Sequence, residues 1–324
     1  MSSRARIDVL SHDETVESRS AYLFEKLKSG EITVSDLMGP LSGHPNLTPA
    51  IVIPPGEKSY FPSAGGAEFL PKDVHNLLLE HNVHPHDYVN PEPMEQYDLV
   101  VIGAGVAGLL SVIVGAWLGK KCALIERHGM GGDCLNTGCV PSKALIACAR
   151  AIHSAKHLAQ FGVRLPEGEV SIDFGFVMQR MRAIRAKISH HDSVERYAHD
   201  FCKHVFVGQA EFAGGNVVNV TGIDGGVRRL SFRKAMIATG ASAAIPPVPG
   251  LRDVKHLTNG NFFNLTELPP RLLVIGCGPI GLELAQSMAR FGSRVMCFEL
   301  GPRLLPREDP DATEVLKKQL ELDG

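Results

Sequence analysis

The chain has 324 residues, of which 44% are hydrophobic and 21% are charged, and its formal net charge is −2. This length allows two or three domains with buried cores, and the near-neutral charge argues against a nucleic-acid partner. The seven cysteines are odd in number and are scattered through apolar segments. This distribution argues against a secreted disulfide framework and favours a reducing compartment.

Residues 1–96 are predicted to form an N-terminal extension that ends in a linker. The first twenty residues contain no apolar signal-peptide core and include several acidic residues, so we expect a cytoplasmic chain, with an organelle left open. The stretch PKDVHNLLLEHN predicts a short helix, and the proline-rich stretch HPHDYVNPEPMEQ predicts a solvated linker. Four histidines here could suggest a metal site, but intervening prolines and the lack of a nearby cysteine favour the linker, and we expect no metal. These histidines are His75, His81, His84 and His86.

From Tyr97 onwards the sequence alternates between predicted strands and helices. YDLVVIG predicts a buried strand, GAGVAG a turn, VAGLLSVIVGAWLGK a helix and KCALIE a second strand. Two more helices and three short strand segments follow, and RLLVIGCGPIGLELAQSMARFGSRVMCFEL then repeats the strand–glycine–helix–strand order. The uncharged 21-residue run Leu99–Gly119 is long enough to span a membrane, but the glycine turn inside it favours a buried strand and a buried helix.

Two glycine motifs of the form G-x-G-x-x-G lie in this α/β part, each between a predicted strand and a predicted helix. The first glycine permits a tight turn, and the second lets the backbone approach a pyrophosphate. The third lets the helix pack close to the strand, so that helix N–H groups meet the phosphates. An acidic residue follows each third glycine by 18 residues and is expected to accept hydrogen bonds from a ribose. The residues are Gly103, Gly105, Gly108 and Glu126 in the first motif, and Gly276, Gly278, Gly281 and Glu299 in the second.

Two dinucleotide sites in one chain predict electron transfer between two bound cofactors, most simply a flavin and a nicotinamide. The motif spacing alone does not assign either cofactor to either motif. Glu299 would repel the 2′-phosphate of NADPH, which favours NADH. Arg294 and Arg303 lie close enough in the sequence to weaken this preference.

The stretch GGDCLNTGCVPSK places Cys134 and Cys139 five residues apart, directly before a predicted helix. A redox couple, half of a zinc site and two unrelated thiols are the alternatives. Five residues of regular helix rise about 7.5 Å, whereas a disulfide needs Cα atoms about 4.4–6.8 Å apart, so the helix is expected to begin irregularly at residues 136–138. No second ligand pair follows at zinc-site spacing. A helix N-terminus is expected to lower a thiol pKa, and the redox couple is favoured.

Taken together, these motifs resemble those of the pyridine nucleotide–disulfide oxidoreductases, from about Tyr97 to the C-terminus. The resemblance is strongest to mercuric-reductase-like and lipoamide-dehydrogenase-like members, through GGDCLNTGCVPSKALI, HDSVERY, IATGA and PRLLPRED. It implies an α/β fold with two Rossmann-like dinucleotide-binding domains after the N-terminal extension. The FAD-binding domain would cover residues 97–245, and an incomplete NAD(P)-binding domain would cover residues 246–324.

The resemblance also implies roles for single residues. Cys134 would be the interchange thiol that meets substrate, and Cys139 would lie against the flavin. Lys143 would lie beside the flavin and pair with Glu283. The first glycine motif would bind FAD, together with Gly132, Lys143, Ala238, Thr239 and Gly240, and the second glycine motif would bind NAD(P)H. No role is implied for HDSVERY, which is predicted to be an exposed helix face.

The resemblance implies NAD(P)H-dependent reduction of a small-molecule or protein disulfide, or of a thiol-bound metal ion, by the Cys134–Cys139 pair. No nucleic-acid or membrane partner is expected. The family's later glycine–aspartate motif and its C-terminal dimerisation domain have no counterpart before Gly324, which puts the family's homodimer in doubt for this chain. The alternative is a catalytically incomplete FAD- and NAD(P)-binding fragment, or an incomplete gene model of an enzyme.

Overall fold

The structure is a computed structural model that describes Ser29, residues 69–164 and residues 171–324. Most of the predicted N-terminal extension, up to residue 68, lies outside the described residues apart from Ser29. The helices are α1 (Val74–Val83), α2 (Val106–Trp117), α3 (Gly132–Asn136), α4 (Cys139–Lys156), α5 (Phe174–Ser189), α6 (Val194–Asp200), α7 (Asn259–Phe262), α8 (Pro279–Phe291) and α9 (Pro310–Asp323). The strands are β1 (Tyr97–Ile102), β2 (Cys122–Glu126), β3 (Val205–Phe212), β4 (Val217–Gly222), β5 (Val227–Ile237), β6 (Arg271–Ile275) and β7 (Arg294–Phe298). The predicted α/β class is confirmed.

The first sheet is parallel and has β1 at its centre. β1 pairs with β2 on one side and with β5 on the other, and β2 pairs with β3. Strands β3 and β5 continue beyond this sheet and pair antiparallel with β4, which closes the five strands into a ring of pairings. The near-continuous apolar sequence of β2 suits a parallel strand buried on both faces.

Alternate residues of β1 contribute side chains to two cores, because successive side chains of a strand point to opposite faces. Val101 packs in a core with Leu109 and Val112 of α2. Val100 packs on the other face, in a core that includes Val220 of β4. The first sheet is therefore covered by helices on one face and by the β4 layer on the other.

The second unit is a two-stranded parallel sheet, in which Val274 of β6 is in register with Cys297 of β7. Helix α8 runs between these strands in the sequence and packs on α4 and α5 through Met288 and Phe291. This third core joins the second unit to the helices α4 and α5 of the first.

The stretch 84–96, for which the sequence predicts a solvated linker, is irregular and partly exposed, but it is anchored to the core, as is the helix α1 before it. Asp73 caps α1 and forms a 2.5 Å ion pair with Arg182 of α5. The side chain of Asn90 exchanges two hydrogen bonds with the backbone of Val207, at 2.7 and 3.0 Å, and His84 is buried. The polar residues of this segment satisfy backbone groups of the core, whereas composition alone suggested solvent exposure.

The uncharged run Leu99–Gly119 is divided between β1, the glycine turn and the twelve-residue helix α2. Among the described residues, no helix is both long and apolar enough to cross a membrane. In the same part of the chain, no group of three or more His, Cys, Asp or Glu side chains is arranged to hold a metal ion.

Candidate functional site

The first glycine loop follows β1 and needs its glycines for space. Gly103 has a φ of +102°, and a Cβ there would lie 2.3 Å from the carbonyl oxygen of Ala238. A Cβ on Gly108 would lie 1.8 Å from the carbonyl oxygen of Gly103. Gly105 caps α2 in an extended conformation. The loop can therefore press against the end of β5 while the N-terminus of α2 stays open.

The second glycine loop repeats the backbone turn and the close helix contact with an offset of 173 positions (276 minus 103), but Gly276 has no neighbour as close as Ala238 is to Gly103. Gly276 has a φ of +101°, and a Cβ on Gly281 would lie 2.3 Å from the carbonyl oxygen of Gly276. The N–H of Gly276 donates to Phe298 at 2.7 Å, as that of Gly103 donates to Ile125 at 2.8 Å. The two glycine motifs therefore form the same strand–turn–helix structure.

Each acidic residue at the end of its strand accepts one hydrogen bond from its glycine loop and one from the turn that follows it. Glu126 accepts from the N–H groups of Ala104 at 2.6 Å and His128 at 2.8 Å. Glu299 accepts from Cys277 at 2.8 Å and Gly301 at 3.1 Å. Each carboxylate thus ties a strand to its glycine loop, a role the sequence did not predict beside the ribose role.

The two carboxyls differ in environment. Burial raises the pKa of Glu126, against the hydrogen bonds from Ala104 and His128, which lower it. The pKa of half-buried Glu299 is lowered, first by the hydrogen bond from Cys277 and then by that from Gly301.

A cavity of about 740 Å³ lies over the first glycine loop. Gly132 and Gly105 both line it and lie close together, since a Cβ on Gly132 would lie 2.6 Å from the Cα of Gly105. This volume is typical of small-molecule sites, and the open N-terminus of α2 is suited to a pyrophosphate. The residues present therefore fit a dinucleotide. The predicted site residues that line the cavity are Gly103, Gly105, Glu126, Gly132, Cys134, Ala238, Thr239 and Gly240.

The two cysteines lie on either side of a helix break. Cys134 belongs to α3, Cys139 is the first residue of α4, and both are free thiols. Gly138 caps α4, and a Cβ there would lie 2.8 Å from the carbonyl oxygen of Asp133 and 3.6 Å from the Cα of Cys134. The break at Thr137 and Gly138 is the irregular start that a contact between the two cysteines requires.

The environment of Cys134 opposes the thiolate, contrary to the expected effect of a helix N-terminus. Burial raises the pKa of Cys134 to about 11, with further contributions from Cys139 and Asp192. Helix α3 has only five residues, so its dipole is small. The lowering predicted from sequence is wrong for this thiol.

Asp192 belongs to HDSVERY, and this stretch is not the exposed helix face that the sequence predicts. Ser193 caps α6, and Val194 and Tyr197 are buried. A Cβ on Gly131 would lie 3.1 Å from Oδ2 of Asp192, so the carboxylate faces the start of the cysteine loop. No local sequence signal could have found this contact, because it joins segments about sixty positions apart.

Lys143 and Glu283 form an ion pair between α4 and α8. The Lys143 Nζ lies 2.7 Å from both carboxylate oxygens of Glu283. The side chains are 59% and 37% exposed, so water screens the pair and its contribution to stability is small. The pair joins the helix that begins at Cys139 to the helix that begins after the second glycine loop.

Two repeated dinucleotide loops, with a cavity over the first that Cys134 lines and Cys139 in contact with Cys134 behind it, define a class of protein, a dinucleotide-binding α/β protein with a dithiol at its site. The chain belongs to the pyridine nucleotide-disulphide oxidoreductase family, whose model matches residues 97–324. The family resemblance seen in the sequence is confirmed.

Individual relatives agree with this assignment. The chain is 35% identical over 228 residues to a mercuric reductase of Lysinibacillus sphaericus, covering 70% of this chain and 40% of that protein. It is 36% identical to a dihydrolipoyl dehydrogenase of Chlorobaculum tepidum, covering 71% and 48%. The HOCl-induced flavoprotein disulfide reductase RclA of Escherichia coli superposes with a TM-score of 0.59 and 31% identity, covering 70% and 48%. The chain thus spans less than half the length of these relatives.

Proposed function

We propose that this chain is the FAD- and NAD(P)H-binding part of a flavoprotein oxidoreductase in which Cys134 and Cys139 alternate between a disulfide and a dithiol. The observation that carries the proposal is the position of Cys134, which lines the cavity over the first glycine loop and contacts Cys139 across the break at Gly138. Relatives named mercuric reductase, dihydrolipoyl dehydrogenase and flavoprotein disulfide reductase support it.

The first cavity would hold FAD through its glycine loop. The N–H groups at the start of α2 would bind the pyrophosphate, and Glu126 would bind a ribose. Ala238, Thr239 and Gly240 line the same cavity where β5 ends. When bound, FAD supplies two-electron transfer between a nicotinamide and a disulfide.

The second glycine loop would hold the nicotinamide cofactor, with NADH favoured over NADPH. The hydrogen bonds from Cys277 and Gly301 that lower the pKa of Glu299 keep its carboxyl anionic, which opposes a 2′-phosphate. Arg294 starts β7 at the end opposite Glu299. Arg303 donates to the carbonyl oxygens of Glu308 and Pro306 at 2.8 and 2.7 Å. Neither arginine is placed to offset Glu299.

The thiol pair would reduce a substrate disulfide by exchange. The Cys134 sulfur attacks one substrate sulfur and releases the other as a thiol, and Cys139 then displaces the second sulfur and re-forms the Cys134–Cys139 disulfide. Because the pKa of Cys134 is about 11, this thiol carries a proton at neutral pH that it must lose as it attacks. A disulfide of a small molecule or a protein, or a thiol-bound metal ion, suits this dithiol.

The test is NADH-dependent release of the two thiols. The oxidised chain is mixed anaerobically with FAD and NADH, and cysteines that become alkylated are located by mass spectrometry. Alkylation at Cys134 and Cys139 is expected with both cofactors and not with NADH alone, and Cys148→Ser should leave the result unchanged. If FAD binds and no alkylation at these cysteines follows, the chain is a dinucleotide-binding fragment without the relay.

A further inference from the structure

A second pair of cysteines lies at the second glycine loop, away from Cys134 and Cys139. Cys277 stands between the first two glycines of that motif and is fully buried, with 1% of its surface exposed. Cys297 lies on the neighbouring strand β7 and is exposed. The backbone of Gly276 is hydrogen-bonded to Phe298, which follows Cys297, so the loop and the strand are fixed side by side.

The two thiols are in direct contact. A hydrogen bond joins the side chains of Cys277 and Cys297, and burial raises the pKa of each thiol. The repeated geometry of the two motifs supports this contact independently. The corresponding residues of the first motif are Ala104 and Leu124, which are both completely buried in one core cluster. Both positions of the first copy thus lie in the same core, and only the second copy places thiols at the two positions.

We propose that Cys277 and Cys297 form a second disulfide site, which oxidation by a low-molecular-weight disulfide closes and which controls the second glycine loop. Exposed Cys297 attacks the oxidant and loses its proton, forming a mixed disulfide and releasing one small thiol. Cys277 then loses its proton, displaces the second small thiol and closes the protein disulfide. Two protein thiols are oxidised, one oxidant disulfide is reduced to two thiols, and the two protons pass to the products.

Closure would move the loop. A disulfide holds its sulfur atoms about 2.05 Å apart, much closer than two thiols in non-bonded contact. Cys277 lies next to Gly278, which caps α8, and its own N–H donates to Glu299 at 2.8 Å. Pulling Cys277 towards β7 therefore displaces the open N-terminus of α8 and the carboxylate that would meet the ribose. We expect weaker binding of a nicotinamide dinucleotide in the oxidised form, and this consequence rests on the proposed function of the second loop.

The experiment uses the chain with Cys134→Ser and Cys139→Ser, so that the first thiol pair cannot take part. The protein is treated with oxidised glutathione, free thiols are blocked with N-ethylmaleimide, and a non-reducing digest is analysed by mass spectrometry. We expect a peptide pair linked through Cys277 and Cys297 that disappears with dithiothreitol. Adding Cys297→Ser should abolish the linked pair, whereas adding Cys148→Ser should preserve it.

NADH titration then measures the consequence for the loop. The dissociation constant should rise by about fivefold on oxidation, return with dithiothreitol and stay constant in Cys297→Ser, because the helix N-terminus that binds the phosphates has moved. Absence of the linked pair overturns the disulfide site, and a linked chain with unchanged NADH affinity overturns its control of the loop. If the reduced chain binds no NADH, the proposed function of the second loop fails. Amide exchange of residues 276–282 then decides whether the linked loop has become more rigid, and unchanged exchange overturns its control.

Discussion

Single residues at this site depend on neighbours that are distant in the sequence. Cys134 is held beside Cys139 by the close approach of Gly138, and it also lies in the field of Asp192. All of the effects that raise its pKa come from burial or from these two neighbours. The protonation state of the proposed interchange thiol is thus a tertiary property, set first by burial and then by Cys139, with a smaller contribution from Asp192.

Replacing Asp192 with asparagine should make Cys134 more reactive. Removing the carboxylate removes a negative charge that disfavours the thiolate, so the pKa of Cys134 should fall below about 11. In a Cys139→Ser background, the rate of alkylation of Cys134 by iodoacetamide at pH 8 should rise by about threefold with Asp192→Asn. The rate is measured by peptide mass spectrometry over a series of pH values.

Asp200→Asn is the matched control, because Asp200 ends helix α6, which begins just after Asp192, and pairs with Arg196 and His199 at the surface. It should leave the alkylation profile of Cys134 unchanged. An equal profile in Asp192→Asn and its parent would show that the carboxylate does not act on the thiol.

The glycines and acids of the two motifs could be predicted because their requirements are local. Gly103 and Gly108 are needed wherever a strand turns into a close-packed helix, so their spacing alone indicates the loop. The contact of Asp192 with the cysteine loop could not be predicted, because no residue near Asp192 in the sequence indicates it. The hydrogen bonds that Glu126 accepts from Ala104 and His128 also could not be predicted from the motif spacing.

At the scale of elements, α4 and α8 form the joint between the two dinucleotide units. Their contact includes a buried core with Ala144 and Leu145 of α4 and Leu284 of α8, and the exposed Lys143–Glu283 pair lies at its edge. The core supplies the stability of this joint. The ion pair instead fixes the position of a positive charge one turn along from Cys139.

Glu283→Gln should therefore slow the proposed reaction without a large loss of stability. We expect the rate of NADH-dependent release of the Cys134 and Cys139 thiols to fall several-fold, because Lys143 loses its orienting partner. The free energy of unfolding should change by less than about 1 kcal/mol, as is typical of exposed pairs. Glu321→Gln, which breaks the exposed pair with Lys317, is the matched control and should leave the rate unchanged. A large loss of stability in Glu283→Gln would contradict this assignment.

The stretch 84–96 was predicted to be a solvated linker, and its composition did not indicate that Asn90 is buried and hydrogen-bonded to Val207. The preceding helix α1 packs along α5 and contributes Leu79 and Val83 to the main core. The helix itself was predicted from its apolar residues. The packing of α1 against α5 could not be predicted, because the ion pair of Asp73 with Arg182 joins residues 109 positions apart.

Burial of His84 at the end of α1 predicts that acid destabilises the fold. Burial lowers the pKa of His84 to about 4 from its ordinary value of 6.5. The unfolded chain therefore binds more protons than the folded chain between these values, and stability is lost as pH falls from 6.5 towards 4. Between pH 7 and pH 5 this one group should cost about 1–2 kcal/mol of the free energy of unfolding.

Urea unfolding at pH 7 and pH 5 measures this effect. His84→Gln should reduce the loss of stability between the two pH values, whereas His199→Gln, at a side chain that is 87% exposed, should not. A wild-type chain and a His84→Gln chain with the same pH dependence would show that His84 is not the group that titrates.

At the scale of the whole molecule, the two strand–turn–helix motifs differ in how much of their strands is buried. β1 and β2 are mostly buried between α2 and the β4 layer. β6 and β7 pair only with each other among the described strands, and several of their apolar side chains are exposed. These are Leu273 at 57%, Ile275 at 46%, Met296 at 60% and Phe298 at 50% exposure.

This difference predicts unequal stability across one chain. A two-stranded sheet is marginally stable in water unless something packs on it, and local opening follows low burial. Amide exchange of residues 272–275 and 295–298 should be at least about tenfold faster than that of residues 100–102 and 123–125. Helix α8 is the internal control, because its buried face packs on α4 and α5 and its amides should exchange slowly. Equal protection of the two strand pairs would mean that β6 and β7 are as stable as β1 and β2 despite their lower burial. Fast exchange in the strands beside slow exchange in α8 would instead place its stability in the three-helix core, so that the second glycine loop is supported from the helix side.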